Sequence, residues 1–378
     1  MKMRFMSVVV LSVGLAACAQ QGAAPAGEQA AEKKEAPKAP APAGGGMNGT
    51  AEQQKAQADL EKNTPKLNLK EEVLSLTVPG QTIGETVGVA KNSKGHLFVF
   101  SRTGKTATVK GSAASMLFEF DQNNKYVRTW GENNYASGFA HTVRVDKDDN
   151  VWMTDEGANM VVKFRPDASV ALTLGRKEEP LDWLEKFIEH GEKLEEKHSD
   201  NGRPWVFNRP TDVTWSSNGD IFVSDGYNNS RLAKMDKNGN WVGSIGKFGT
   251  APDEFNTPHG ITSDKQDNIY VADRGNRRIQ VYGTDLKRKK IIEGMGAPWS
   301  VCATPANAAG KQFIFSGDGN GKIYKIDPDA GKVVGWAQTS QDHGQNGCLV
   351  HELHCESENV VYKGDCSTWQ VFKFTIAN

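Results

Sequence analysis

The stretch Asp267-Asn268-Ile269-Tyr270-Val271-Ala272-Asp273 sets the pattern on which this chain folds: a polar turn, an alternating apolar run, and a closing aspartate. Alternation over this length reads as a half-buried strand. The pattern recurs on either side as Lys94-Gly95-His96-Leu97-Phe98-Val99, as Asp149-Asn150-Val151-Trp152-Met153-Thr154-Asp155 and as Asn218-Gly219-Asp220-Ile221-Phe222-Val223-Ser224-Asp225. Weaker copies are Gln312-Phe313-Ile314-Phe315-Ser316 and Asn359-Val360-Val361-Tyr362-Lys363-Gly364-Asp365. Each is followed by a second run, such as Arg278-Ile279-Gln280-Val281-Tyr282. Six copies, most of them at nearly equal intervals, predict an all-β, six-bladed β-propeller. A sandwich, the rival fold, would not require six equal periods. The interval between Asp155 and Asp225 is the exception, being much wider than the others. There Leu181, Leu184, Phe187, Ile188 and Leu194 recur at helical spacing, predicting a helical insertion over 178–197, between blades two and three. The chain ends on the third strand of blade six, so its outer strand is expected from Glu72-Val73-Leu74-Ser75-Leu76-Thr77.

The propeller occupies residues 67–378, and what precedes it has another character. Residues 1–18 read as an export signal: Lys2 and Arg4 precede an apolar run, Met6 to Ala16, too short to span a bilayer. The run ends in Leu15-Ala16-Ala17-Cys18, which resembles the lipobox of bacterial lipoproteins, where the cysteine is lipidated. Ala19, rather than Asp, then favours the outer membrane, facing the periplasm. Residues 19–66 are Ala, Pro, Gly, Gln, Glu and Lys with almost no large apolar side chain, and read as a disordered tether. A formal net charge of -1 argues against a nucleic-acid partner. A monomer is expected. Cys302, Cys348, Cys355 and Cys366 remain after processing, and export favours at least one disulfide. Four cysteines allow three full pairings, and spacing does not choose among them.

Counting back from the aspartates that close the second strands brings out a register. His141, His259 and His351 precede Asp155, Asp273 and Asp365 by one and the same offset. That offset, taken from Asp225, reaches Thr211. Blades two, four and six therefore carry histidine where the channel-lining strand begins, and alternate blades of a six-fold ring lie about 120° apart. Three imidazoles converging at one depth, with a fourth position open, have the donor set of a catalytic zinc site.

These residues carry a resemblance. Phe207-Asn208-Arg209-Pro210-Thr211-Asp212-Val213, Val223-Ser224-Asp225-Gly226-Tyr227-Asn228-Asn229-Ser230-Arg231, Phe255-Asn256-Thr257-Pro258-His259-Gly260 and Val271-Ala272-Asp273-Arg274-Gly275 look like the peptidyl-α-hydroxyglycine α-amidating lyase family. That family is a branch of the NHL-type six-bladed propellers, and the likeness covers roughly residues 83 to 378. It implies zinc on His141, His259 and His351, a catalytic tyrosine at Tyr227, and functional arginines at Arg102 and Arg274. It also implies a structural calcium on the carbonyls of Val89 and Val143 and the carboxylate of Glu352, where the family has aspartate. The expected reaction splits the C–N bond of an N-acyl or peptidyl α-hydroxyglycine into an amide and glyoxylate. A bound cation acidifies the hydroxyl, Tyr227 serves as base, and Arg102 or Arg274 grips the carboxylate.

Two departures stand out. The family staples blade three with a disulfide at positions that here are Asn208 and Asn228. Cys348 and Cys366 hold the analogous place in blade six and are the expected pair, while Cys302 and Cys355 either pair or stay free. The copper monooxygenase that supplies the substrate in bifunctional relatives has no counterpart in this sequence. Two other readings compete: a non-catalytic propeller lipoprotein that binds partners, and a calcium-dependent lactonase, against which the three histidines count.

Overall fold

Short alternating runs separated by Asp-, Asn- and Gly-rich turns satisfy their backbone groups by pairing with the next run along the chain. The computed structural model describes residues 49–103, 115–132, 134–176, 206–340 and 348–377. It consists of six four-stranded antiparallel sheets. The inner strands are Glu85–Lys91 in blade one, Ala140–Val145 in two, Asp212–Trp215 in three, Pro258–Ser263 in four, Pro298–Ala303 in five and Glu352–Ser357 in six. This is the six-bladed propeller that the periodicity predicts.

The turn residues have a specific task. Asp146 and Asp264 each bind backbone N–H groups two and four positions on, at 2.9 to 3.0 Å. The carboxylate thus imitates a backbone acceptor and fixes the hairpin. The apolar alternation goes to the seams between blades. Among the described residues, six clusters fill the seams between neighbouring blades, as where Phe222 and Leu232 of blade three meet Ile261, Val271 and Tyr282 of blade four. Burying each such side chain contributes about 1.5–3 kcal/mol, so every blade depends on the next.

Ring closure differs from the sequence expectation by a short shift along the chain. The outer strand of blade six is Asn68–Val73, paired with Gln370–Ala377 from Asn68 opposite Ala377 to Val73 opposite Phe372. Leu74 and Leu76, which that expectation placed in the outer strand, pack instead on the seam between blades six and one. Part of the stretch 19–66 that composition assigned to a tether is helical. Ala51–Asn63 form a helix that opens with a Thr50/Gln53 capping box. It has no buried residue, yet Glu61 accepts from Lys322 at 2.7 Å and from Tyr324 at 2.8 Å, and its carbonyl accepts from Trp336 at 2.9 Å. Polar side chains fasten it to blade five, a contribution that a count of apolar area misses. The helical insertion expected over 178–197, the export signal and the remainder of the tether lie outside the described residues. No helix among the described residues is long and apolar enough to cross a membrane.

Candidate active site

Where the inner strands begin, a bulge re-aims one residue of most blades towards the bore. His141 falls between the pairs Ala140–Asp155 and Thr142–Thr154, and His259 falls between Pro258–Asp273 and Ile261–Val271. Val87 and Trp299 occupy the same kind of bulge in blades one and five. The ring at this depth is therefore Val87, His141, Thr211, His259, Trp299 and His351. Its three imidazoles are buried and close, with centroids 4.5 Å apart for His141–His259, 4.8 Å for His141–His351 and 5.0 Å for His259–His351.

Their chemistry follows from their partners. His259 Nδ1 lies 2.7 Å from the Trp299 carbonyl, and His351 Nδ1 lies 2.7 Å from the Val87 carbonyl. A carbonyl only accepts, so Nδ1 carries the proton and Nε2 keeps its lone pair. The Thr211 carbonyl acts on His141 in the same sense, although neither His141 nitrogen makes a hydrogen bond of normal geometry. Burial first pushes all three well below the usual histidine range, helped by the Arg274 charge at each, by Arg102 at His141 and His351, and by neighbouring imidazoles at His141 and His259. They stand neutral. Three neutral nitrogen donors with their ligand atoms within 4.8 Å of one another, one of them an orphaned buried group, fit a zinc ion.

Above the imidazoles sit the residues that follow the blade aspartates. Asp225 is held by the Asn208 amide at 2.8 Å and by Arg231 at 2.9 Å, and burial pushes its carboxyl up to about 6 despite Arg231. A methyl group at Gly226 would sit 1.9 Å from the Pro258 carbonyl, so only glycine lets the next residue swing over the bore. That residue is Tyr227, whose hydroxyl lies 3.3 Å from His259 Nε2 and 3.4 Å from Arg274 Nη1. Arg274 also stacks on Trp299, 4.3 Å from the ring centre. Arg102 ends the second strand of blade one, where its Nε donates to the Ala140 carbonyl at 2.8 Å and its Nη1 to Glu85 at 3.1 Å. Tyr227, Arg102, Arg274 and the three histidines therefore converge.

Three further residues belong here. Glu156, buried beside His141 with 4.0 Å between its Oε2 and the imidazole Nε2, follows Asp155 as Arg274 follows Asp273. Arg209 donates from Nε to Glu156 at 2.7 Å and lies over the Tyr227 ring at 4.2 Å. The one-after-aspartate register would have found Glu156. Trp299 escaped because blade five has a longer first turn, which sets Trp299 further ahead of Asp318 than each histidine stands from its own aspartate.

The residues named for calcium also meet. The amide N–H groups of Val89 and Val143 donate to Glu352 Oε2, at 3.2 Å each. Burial pushes the Glu352 carboxyl well above its ordinary range, against the charge of Arg144. Both disulfides form: Cys348–Cys366, as expected, and Cys302–Cys355. The first ties the loop before His351 to the turn after Asp365. At the family's blade-three staple, Asn228 donates to the Asn208 side chain at 2.7 Å.

Known proteins share this architecture. Residues 207–235 and 255–282, in blades three and four, match the NHL repeat. The Caenorhabditis elegans protein named "Probable peptidyl-alpha-hydroxyglycine alpha-amidating lyase" is 28% identical over 315 residues, covering 76% of this chain and 83% of its own. The peptidylglycine alpha-amidating monooxygenase of Rattus norvegicus is 27% identical over 329 residues, covering 78% of this chain. The chain spans only 30% of the rat protein's length. Virginiamycin B lyase from Staphylococcus aureus has the same fold, with a TM-score of 0.53 at 13% identity over 82% of this chain and 100% of that one. The chain is accordingly a six-bladed β-propeller with NHL repeats, similar in sequence to proteins named as peptidyl-α-hydroxyglycine α-amidating lyases.

Proposed function

We propose that the chain is a zinc-dependent lyase that cleaves the C–N bond of N-acyl or peptidyl α-hydroxyglycine-like substrates, giving an amide and glyoxylate. One observation carries the reading. Tyr227 Oη stands 3.3 Å from His259 Nε2, at the open side of three neutral imidazoles, beneath a guanidinium. His141, His259 and His351 would hold the zinc, which when bound supplies a Lewis acid that makes the substrate hydroxyl more acidic.

The remaining steps belong to the protein. Arg102 is engaged by Glu85 and Arg209 by Glu156, whereas Arg274 shows no carboxylate partner among the described residues. Arg274 is thus the guanidinium that receives the substrate carboxylate, in a bidentate pair. Tyr227 Oη takes the hydroxyl proton. As the carbonyl of glyoxylate forms, the C–N bond breaks with its electron pair on nitrogen, and the proton returns from Tyr227 to that nitrogen. The Glu156–Arg209 pair packs on the Tyr227 ring and places a carboxylate oxygen 4.0 Å from His141 Nε2. A C-terminal hydroxyglycine-like group on a peptide or small acyl compound is the substrate class.

The test combines zinc analysis with glyoxylate release from an α-hydroxyhippurate-type substrate, in wild type and in Tyr227→Phe. Stoichiometric zinc with no glyoxylate in wild type would overturn the lyase reading and leave a partner-binding propeller. We further infer that Cys18 is lipidated and anchors the chain to the cell envelope, facing the periplasm. Labelled palmitate should enter wild type and not Cys18→Ala.

A further inference from the structure

Below the imidazoles, one step further along the inner strands, the bore is filled by the Arg144 guanidinium. Its Nη1 donates to the Leu353 carbonyl at 3.1 Å, and its Nη2 donates to the carbonyls of Val301 at 3.3 Å and Ile261 at 3.5 Å. Its Nε donates to Asp212 Oδ1 at 3.0 Å, and its Nη2 also binds Asp212 Oδ2. Its Nε lies 3.2 Å from Glu352 Oε1, an ion pair by distance without the geometry of a directed hydrogen bond.

The two carboxylates extend this cluster to the rest of the ring. Asp212 accepts the amides of Val213 and Ile261, each at 2.8 Å, and Glu352 accepts those of Val89 and Val143. Val89 belongs to blade one, Val143 to two, Val213 to three, Ile261 to four, Val301 to five and Leu353 to six. Each blade thus gives a backbone group to a single Asp212–Arg144–Glu352 triad. Gly88 makes room for it, since a methyl group there would sit 2.8 Å from Val143 N and 3.1 Å from Glu352 Oε2.

A calcium ion on Val89, Val143 and Glu352 would need carbonyl and carboxylate oxygens around it. Here the carbonyls of Ile261, Val301 and Leu353 and the Asp212 carboxylate already surround a guanidinium whose Nε lies 3.2 Å from Glu352, and that positive charge would repel a dication held on the same carboxylate, so the residues present do not fit that ion. We infer that Arg144 takes the place of a structural cation on the propeller axis, so that the ring is closed by a covalently attached charge and needs no calcium. This does not depend on what the upper site catalyses.

The experiment uses the full chain. Wild-type protein is dialysed against EGTA, analysed for calcium, and melted with and without calcium chloride at about 1 mM, the range in which extracellular modules bind calcium. No stoichiometric calcium and a Tm that calcium leaves unchanged are expected. One calcium per chain whose removal lowers Tm would overturn the inference. In Arg144→Ala, which leaves Asp212 and Glu352 facing an empty bore, Tm is expected to fall by roughly 10 °C and to recover in part with calcium. An unchanged Tm in that variant, or a lowered one that calcium does not raise, counts against it. Should the variant fail to fold, the wild-type melt decides alone.

Discussion

Two levels of one channel, built on the same six inner strands, are finished in opposite ways. At the lower level, Arg144, Asp212 and Glu352 are each tied by ion pairs or hydrogen bonds to neighbouring blades. At the upper level, buried nitrogens of His141 have no hydrogen-bond partner, and two of the three imidazoles commit only Nδ1 to a carbonyl. Buried polar groups left unpaired are costly, and a fold keeps such a cluster where something else completes it. The lower level is the one expected to stabilise the ring, and the upper level the one proposed to take a ligand.

That contrast can be broken by substitution. Tyr227→Phe at the upper level should lower kcat by about 10²- to 10⁴-fold, the usual worth of a general base, with zinc content and Tm unchanged. Equal turnover in glyoxylate assays would remove Tyr227 from the chemistry. At the lower level the effect should reverse: Asp212→Asn leaves the Arg144 charge short of a buried partner and should cost about 3–5 kcal/mol of stability. Denaturant unfolding reads this directly, and a cost below about 1 kcal/mol would mean that the triad is not what closes the ring. Arg274→Ala should raise KM by about 10- to 100-fold, the loss of a charged hydrogen-bonded pair. Restored affinity for an analogue lacking the carboxylate would sharpen the assignment.

The smallest expected effect is one of pH. Because burial depresses the pKa values of His141, His259 and His351, they stay neutral above those depressed values, and protons compete with zinc only as the pH falls through them. An exposed three-histidine site would lose roughly tenfold or more in affinity between about pH 7.5 and 6, where free imidazole titrates. Here chelator competition should find affinity changed by about twofold or less over that range. A steep loss near the pKa of free imidazole, about 6.5, would show rings open to solvent.

Some of this was legible beforehand because it depends on local period. The six strand copies and the shared offset of three histidines repeat along the chain, and each blade is built from residues close in sequence, whereas Tyr227, Arg102 and Arg274 were pointed to by the family resemblance alone. Glu156 was equally legible and went unread, being one more residue after a blade aspartate. Trp299 was hidden by a longer turn. The helix at Ala51–Asn63 was hidden by its composition, since it docks mainly through Glu61, Gln57 and their polar partners on blade five, with Leu60 as its apolar contact.

The amino-acid sequence by itself determined the propeller, its six-fold period and the placing of three imidazoles on alternate blades, because strand alternation and turn chemistry act over short stretches of chain. Only the tertiary structure decided the fate of Arg144 and Glu352. Their partners lie up to 263 residues away, and whether a buried charge meets a carbonyl, an amide or a carboxylate is settled only when the ring closes and all six strands bring their backbones to one axis.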